Sequence, residues 1–176
     1  MSRVLGVLAL LVPALAWAGP KRDAVMDLLN AIEEPVREAD LTALGDGVDA
    51  ELMSIADDAA IPVSRRGRAV SALQYFKTEP VRVFLEGHLA AGDALVRRKA
   101  AYSLAVFGPS AVAPLSKALG DADVQLRIAA AQALGQLGDA AAHQALTARL
   151  GSEREPAVRD AITKALNSPL DRSGLN

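Results

Sequence analysis

Residue types that could carry chemistry are few in this sequence and poorly placed for it. His88 and His143 are the only histidines, 55 residues apart, and there is no cysteine. Disulfide, thiolate and cysteine-based zinc chemistry are therefore excluded. A metal centre needs several convergent ligands. The two histidines fall in different helical segments, so each reads as a surface or rim residue, and neither a metal nor a cofactor is expected. Asp57-Asp58 is a carboxylate pair at a helix end, but neighbouring helical positions point in different directions, which makes a poor acid–base dyad. Gly45-Asp46-Gly47-Val48-Asp49-Ala50 has the letters of a dinucleotide loop. Such a loop requires a preceding strand and a βαβ frame, whereas the flanking pattern here is helical, so the stretch reads as a glycine turn. It also fails as a calcium loop, because Asp46, Val48 and Ala50 stand where alternating oxygen ligands are needed. No G-x-S-x-G elbow or P-loop is present. No catalytic residue is expected, and the chain reads as one that holds a partner.

The elements behind these residues come from an internal repeat. An arginine is followed seven residues later by a leucine five times: Arg37 and Leu44, Arg66 and Leu73, Arg97 and Leu104, Arg127 and Leu134, Arg159 and Leu166. Successive arginines lie 29, 31, 30 and 32 residues apart. Three residues after each stands Asp40, Ala69, Ala100, Ala130 or Ile162, apolar in every unit but the first. Seven residues make two helical turns, so the residue before each arginine and the Ala-Leu pair share one buried stripe. A second apolar segment precedes each of these, at 24–32, 48–56, 81–89, 111–119 and 140–150. The joints contain the glycines, acidic residues and serine that stop one helix and start the next, and Pro80 and Pro156 suit first turns. The pattern predicts helix hairpins at about 22–45, 47–76, 79–107, 109–138 and 139–167. Helices this short are marginal alone, so stacking of hairpins must supply their stability. Residues 168–176, SPLDRSGLN, have no period and read as a flexible tail.

Residues 109–138, PSAVAPLSKALGDADVQLRIAAAQALGQLG, carry the pattern most fully. They resemble the HEAT repeat, including the HEAT-like units of phycobilin lyases, and the likeness extends over 22–167. The resemblance implies an all-α, right-handed α-solenoid of five units. It also implies a ladder of hydrogen bonds between a turn aspartate and the helix arginine. Asp121 with Arg127 matches that spacing, and Glu153 with Arg159 is a variant of it. Ala31, Ala60 and Ala91 occupy the acidic position elsewhere, so the ladder is expected to be incomplete. The five arginines are read as structural, because charges near helix ends satisfy backbone groups and the dipole.

In the second helix of each unit, positions one, two, five and nine after the arginine face away from the apolar stripe. They include Arg68, Ser71 and Tyr75, then Arg98, Lys99, Tyr102 and Val106, then Gln132 and Gln136, then Lys164. The resemblance places second helices on the concave face of the superhelix. Arg68, Tyr75, Arg98, Lys99, Tyr102, Gln132 and Gln136 are therefore the expected partner-binding residues. Tyrosine and arginine are types that concentrate binding energy, and the positive charge predicts a protein or peptide partner with an acidic feature.

Apolar residues make up 51% of the 176 residues and aromatics 3%, which suits close-packed alanine- and leucine-rich helices better than a β-sandwich. With 19 basic and 21 acidic residues the net charge is −2, which gives no reason to expect nucleic acid. Arg3, an apolar run from Val4 to Leu15 and Ala16-Trp17-Ala18 have the layout of a secretory signal peptide cut between Ala18 and Gly19. That run is too short to span a bilayer, so no lasting membrane insertion is expected. The mature chain, with a charge of −3, would work in the periplasm or outside the cell. The expected function is a scaffold or binding module. A HEAT-like lyase-type enzyme and a structural subunit of an envelope assembly are the alternatives.

Overall fold

A computed structural model describes residues 20–31 and 35–168. The expected signal peptide with its Ala18–Gly19 cut, the joint at Glu33-Glu34 and the tail from Pro169 onward lie outside the described residues. Among the described residues ten α-helices follow one another: α1 (Pro20–Asn30), α2 (Glu38–Thr42), α3 (Val48–Asp57), α4 (Val63–Ala72), α5 (Glu79–Ala90), α6 (Ala94–Leu104), α7 (Val112–Ala118), α8 (Val124–Leu137), α9 (Ala140–Ser152) and α10 (Pro156–Leu166). No strand occurs among the described residues. The fold is an α-solenoid of stacked helix hairpins.

Local chemistry sets the helix ends. Asp123 accepts from the Gln125 amide at 2.9 Å and Asp139 from the Ala142 amide at 2.7 Å. Each satisfies a backbone donor that the first helical turn leaves unpaired. Pro80 and Pro156 sit in the first turns of α5 and α10, where a missing N–H costs nothing. Gly138 closes α8 in the left-handed region at φ 63°, which a side chain would strain.

Two layers result. The first helices α3, α5, α7 and α9 form one, and the second helices α4, α6, α8 and α10 form the other. Second helices touch their neighbours along most of their length, whereas first helices meet at few points. Small residues allow this close approach. A Cβ on Gly135 would fall 2.7 Å from the Ala165 Cβ and 2.9 Å from its Cα, so only glycine lets α8 lie this near α10. Ser103, buried where neighbouring units have alanine, donates to the Val70 carbonyl at 2.9 Å and ties α6 to α4. Between first helices, hollows of about 420 Å3 and about 400 Å3 open on either side of α5. Leu52, Leu73, Leu85, Leu104, Leu115, Leu134 and Leu146 fill the core between the layers, each worth about 1.5–3 kcal/mol when fully buried.

The first unit departs from the expected hairpin. Its second helix is the five-residue α2. Asp40 interrupts the apolar stripe there, and Gly45 and Gly47 take φ of 77° and 80°, which ends the helix. Leu41 is the buried leucine, and Leu44 is only half-buried. Helix α1 instead packs directly on α3 and α4, with Arg22 bridging to Asp58 at 2.8 Å. At the other end Leu166 is likewise half-buried, because no further unit follows α10 in the described stack.

Candidate binding face

The repeat arginines come first, because they fix where the neighbouring side chains stand. Arg66 pairs with Asp93, and Arg97 with Asp121. Arg127 Nε lies 2.9 Å from Glu153 Oε2. Each rung joins a second helix to the turn of the following unit. Asp121 thus serves Arg97 through its carboxylate, while Arg127 reaches the Asp121 and Ala122 carbonyls at 2.8 and 3.1 Å. The ladder is more complete than expected: Asp93, two residues beyond Ala91, supplies the acid that spacing alone does not locate. Arg159 donates to the Leu150 and Glu153 carbonyls, both at 3.0 Å. Arg37 differs, pairing with Asp40 at 2.9 Å inside its own turn with its side chain 67% exposed.

These bonds set carboxylate acidity. Burial alone would raise the Glu153 carboxyl, but the Glu155 amide, Arg149, Arg127 and the Arg154 amide together hold it down at about 2. Burial would also raise Asp121, and the Asp123 amide and Arg97 outweigh it and lower it below the ordinary aspartate value.

The expected binding residues divide into two groups. Arg68 donates to the Ala31 carbonyl at 2.9 Å and the Leu28 carbonyl at 3.4 Å. It therefore closes the C-terminal end of α1, where a cation suits the helix dipole. Tyr75 donates its hydroxyl to the Val36 carbonyl at 3.3 Å. Both help hold the first unit in place. Tyr102, by contrast, is 37% exposed and donates to Gln132 Oε1 at 2.5 Å, linking α6 to α8 across the outer face of the second layer. Gln136 is exposed beside Gln132, and with Lys164 they line a hollow of about 190 Å3 between α8 and α10. Arg98 and Lys99 are half-buried and form no ion pair or hydrogen bond with another described residue. Helices α4, α6 and α8 contain no acidic residue at all. Ser71, Gln74, Tyr75 and Lys99 meet around a second hollow of about 240 Å3. Gln74, eight residues after Arg66, was not among the expected positions.

Other chemistry-bearing residues serve packing. His88 Nε2 lies 3.1 Å from Asp57 Oδ1, its Nδ1 lies 3.0 Å from the Phe84 carbonyl, and the ring lies 4.2 Å from that of Phe84. It is a half-buried bridge between α3 and α5 rather than a surface residue. Asp57 and Asp58 diverge, one to His88 and the other to Arg22. Among the described residues no three His, Cys, Asp or Glu side chains converge in a way that could hold a metal ion. No described helix is long and apolar enough to cross a membrane.

Similarity to known proteins follows the stacked hairpins. Residues 81–167 match the family profile described as HEAT repeats. Among solved structures the chain resembles human deoxyhypusine hydroxylase in complex with glycerol, at 29% identity and a TM-score of 0.59. That match covers 68% of this chain and only 42% of the hydroxylase, so the chain spans less than half of that protein's length. It also resembles a chain from the complex of CpcE and CpcF of phycocyanin lyase from Nostoc sp. PCC7120. There the identity is 21% and the TM-score 0.63, over 81% of this chain and 98% of that one, a likeness of fold alone. No curated protein matches in sequence. The solenoid of helix hairpins thus carries a match to HEAT repeats over residues 81–167, its units three to five.

Proposed function

We propose that the chain is an exported interaction module that holds another protein or peptide, bearing an acidic feature, against the face of its second helices. The observation that carries this reading is the contrast among its cations. Arg66, Arg97, Arg127 and Arg159 are engaged in internal bonds, whereas Arg98 and Lys99 have no counter-ion among the described residues and flank the exposed Tyr102. Unpaired cations beside an exposed tyrosine suit an acidic partner with an aromatic contact. Curvature supports the same face. Helices in the second layer lie closer together than those in the first, and a stack of unequal layers bends toward the tighter one. Export rests on the pattern of residues 1–19. In this reading the chain binds and does not catalyse. Its likeness to a lyase subunit is one of fold, and a lyase reading would need reacting groups gathered at one place.

The test places a photo-crosslinking amino acid at position 102 in cells, with a second at position 83. Val83 is 55% exposed on α5, in the first layer. Capture of one discrete protein from position 102 and not from 83, with Gly19 as the recovered N-terminus, is the expected result. Capture from position 83 alone would move the interface to the first helices, and full-length chain in the cytoplasm would reject export.

A further inference from the structure

We infer that the hollow at the step from α4 to α6 is a subsite for a single carboxylate side chain, an aspartate or glutamate of an acidic peptide segment. The inference rests on the interaction reading above and adds the chemistry of what is held. Two of the lining groups are already committed. Tyr75 bonds the Val36 carbonyl and Arg68 the end of α1, so they form walls. Three groups remain to meet a ligand: the Lys99 ammonium, the Ser71 hydroxyl and the Gln74 amide. None of the three has a hydrogen-bond or ion-pair partner among the described residues. Gly67 lies beside the hollow. A Cβ there would press on the Leu95 side chain at 3.3 Å and meet Lys99 Cγ at an ordinary 3.6 Å, so the lysine stem already lies in contact range of α4 at the hollow's edge.

Charge and shape choose between anions. The Lys99 ammonium and two neutral donors suit one carboxylate, with the Arg68 guanidinium adding positive charge at the wall. A phosphate monoester carries more than one charge near neutral pH, and the carbonyl end of α4 lies at this hollow and repels the excess. A nucleic-acid strand needs cations at regular intervals, yet α8 presents Gln132 and Gln136 here and interrupts the row before Lys164 on α10. An extended peptide fits both parts: its acidic side chain enters the hollow, and its backbone amides pass the glutamines.

The test is an NMR titration of the 15N-labelled full chain. The probes are a terminally blocked peptide with one glutamate among neutral residues, its glutamine counterpart, and inorganic phosphate. The glutamate peptide should shift the resonances of Ser71, Gln74, Tyr75 and Lys99, while the other two leave them in place. Lys99→Met, which keeps the stem and removes the charge, should weaken the glutamate peptide about tenfold, the loss expected for one charged hydrogen bond. Lys117→Met on α7, outside this face, should change nothing. Equal weakening by both variants, equal shifts from phosphate, or no shift up to the solubility limit of the peptide would each overturn the subsite. Capture of a partner from position 102 would still stand in those cases, so the subsite and the interaction face fail separately.

Discussion

Glu153 accepts hydrogen bonds from Arg127, Arg149 and the amides of Arg154 and Glu155 while its side chain is only 4% exposed. Its carboxyl, at about 2 against an ordinary 4.5, makes the solenoid sensitive to acid. The unfolded chain takes up this proton more readily than the folded one, so the stabilisation is complete above the ordinary value. It is lost as pH falls from there toward about 2. Asp121, also lowered, acts in the same direction. Glu153→Gln leaves Arg127 buried without its counter-charge and should cost roughly 2–3 kcal/mol at neutral pH. Thermal melts across that acid window should fall steeply for the wild type and more gently for the variant. Equal slopes would place the acid sensitivity elsewhere. At this scale the sequence was partly legible. The structural arginines could be read from their period. The acid that each one meets could not, because Arg66 and Asp93 are 27 residues apart and the rung crosses from one unit to the next.

At the scale of elements, the seven-residue spacing of arginine and leucine carries over to burial in the middle of the stack and fails at its start. Leu73, Leu104 and Leu134 are fully buried, whereas Leu44 is half-buried beside a single-turn α2. The reason was visible in one residue. Asp40 stands where the other units carry an alanine or isoleucine, and a charge cannot face an apolar layer without a partner. Its partner is Arg37, which is thereby withdrawn from the ladder. The contrast can be measured in urea. Leu134→Ala should destabilise the fold by about 2–5 kcal/mol, the cost of a cavity among close-packed helices. Leu44→Ala should cost about 1 kcal/mol or less. If the two losses were equal, the first unit would be as firmly built as the fourth.

The whole molecule joins a mildly acidic chain to a second layer whose helices α4 and α6 bear six basic residues and no acidic one. This arrangement was only half legible beforehand. Helical period places Arg98, Lys99 and Tyr102 on one face, but it does not reveal that Arg68 and Tyr75 are taken up by the first unit, which depends on how α1 folds back. The free groups should therefore divide the work of binding by range. A cationic face acts over about a Debye length, roughly 8–10 Å, and raises the encounter rate before contact. Tyr102 acts only on contact and sets how long the complex lasts. With the partner captured at position 102 and its kinetics followed at a surface, Arg98→Met with Lys99→Met should slow association and flatten its dependence on salt, with dissociation little changed. Tyr102→Ala should speed dissociation, by about tenfold or more if the ring is a buried anchor, and leave association nearly intact. The charge variants should keep the wild-type melting temperature within a degree or two, since methionine keeps the stems and no ion pair is lost, whereas Tyr102→Ala loses its bond to Gln132 and should cost about 0.5–1.5 kcal/mol. If the charge variants speed dissociation while Tyr102→Ala changes nothing, the contact is an ion-paired one centred on α6, and the tyrosine serves only to join α6 to α8 through Gln132.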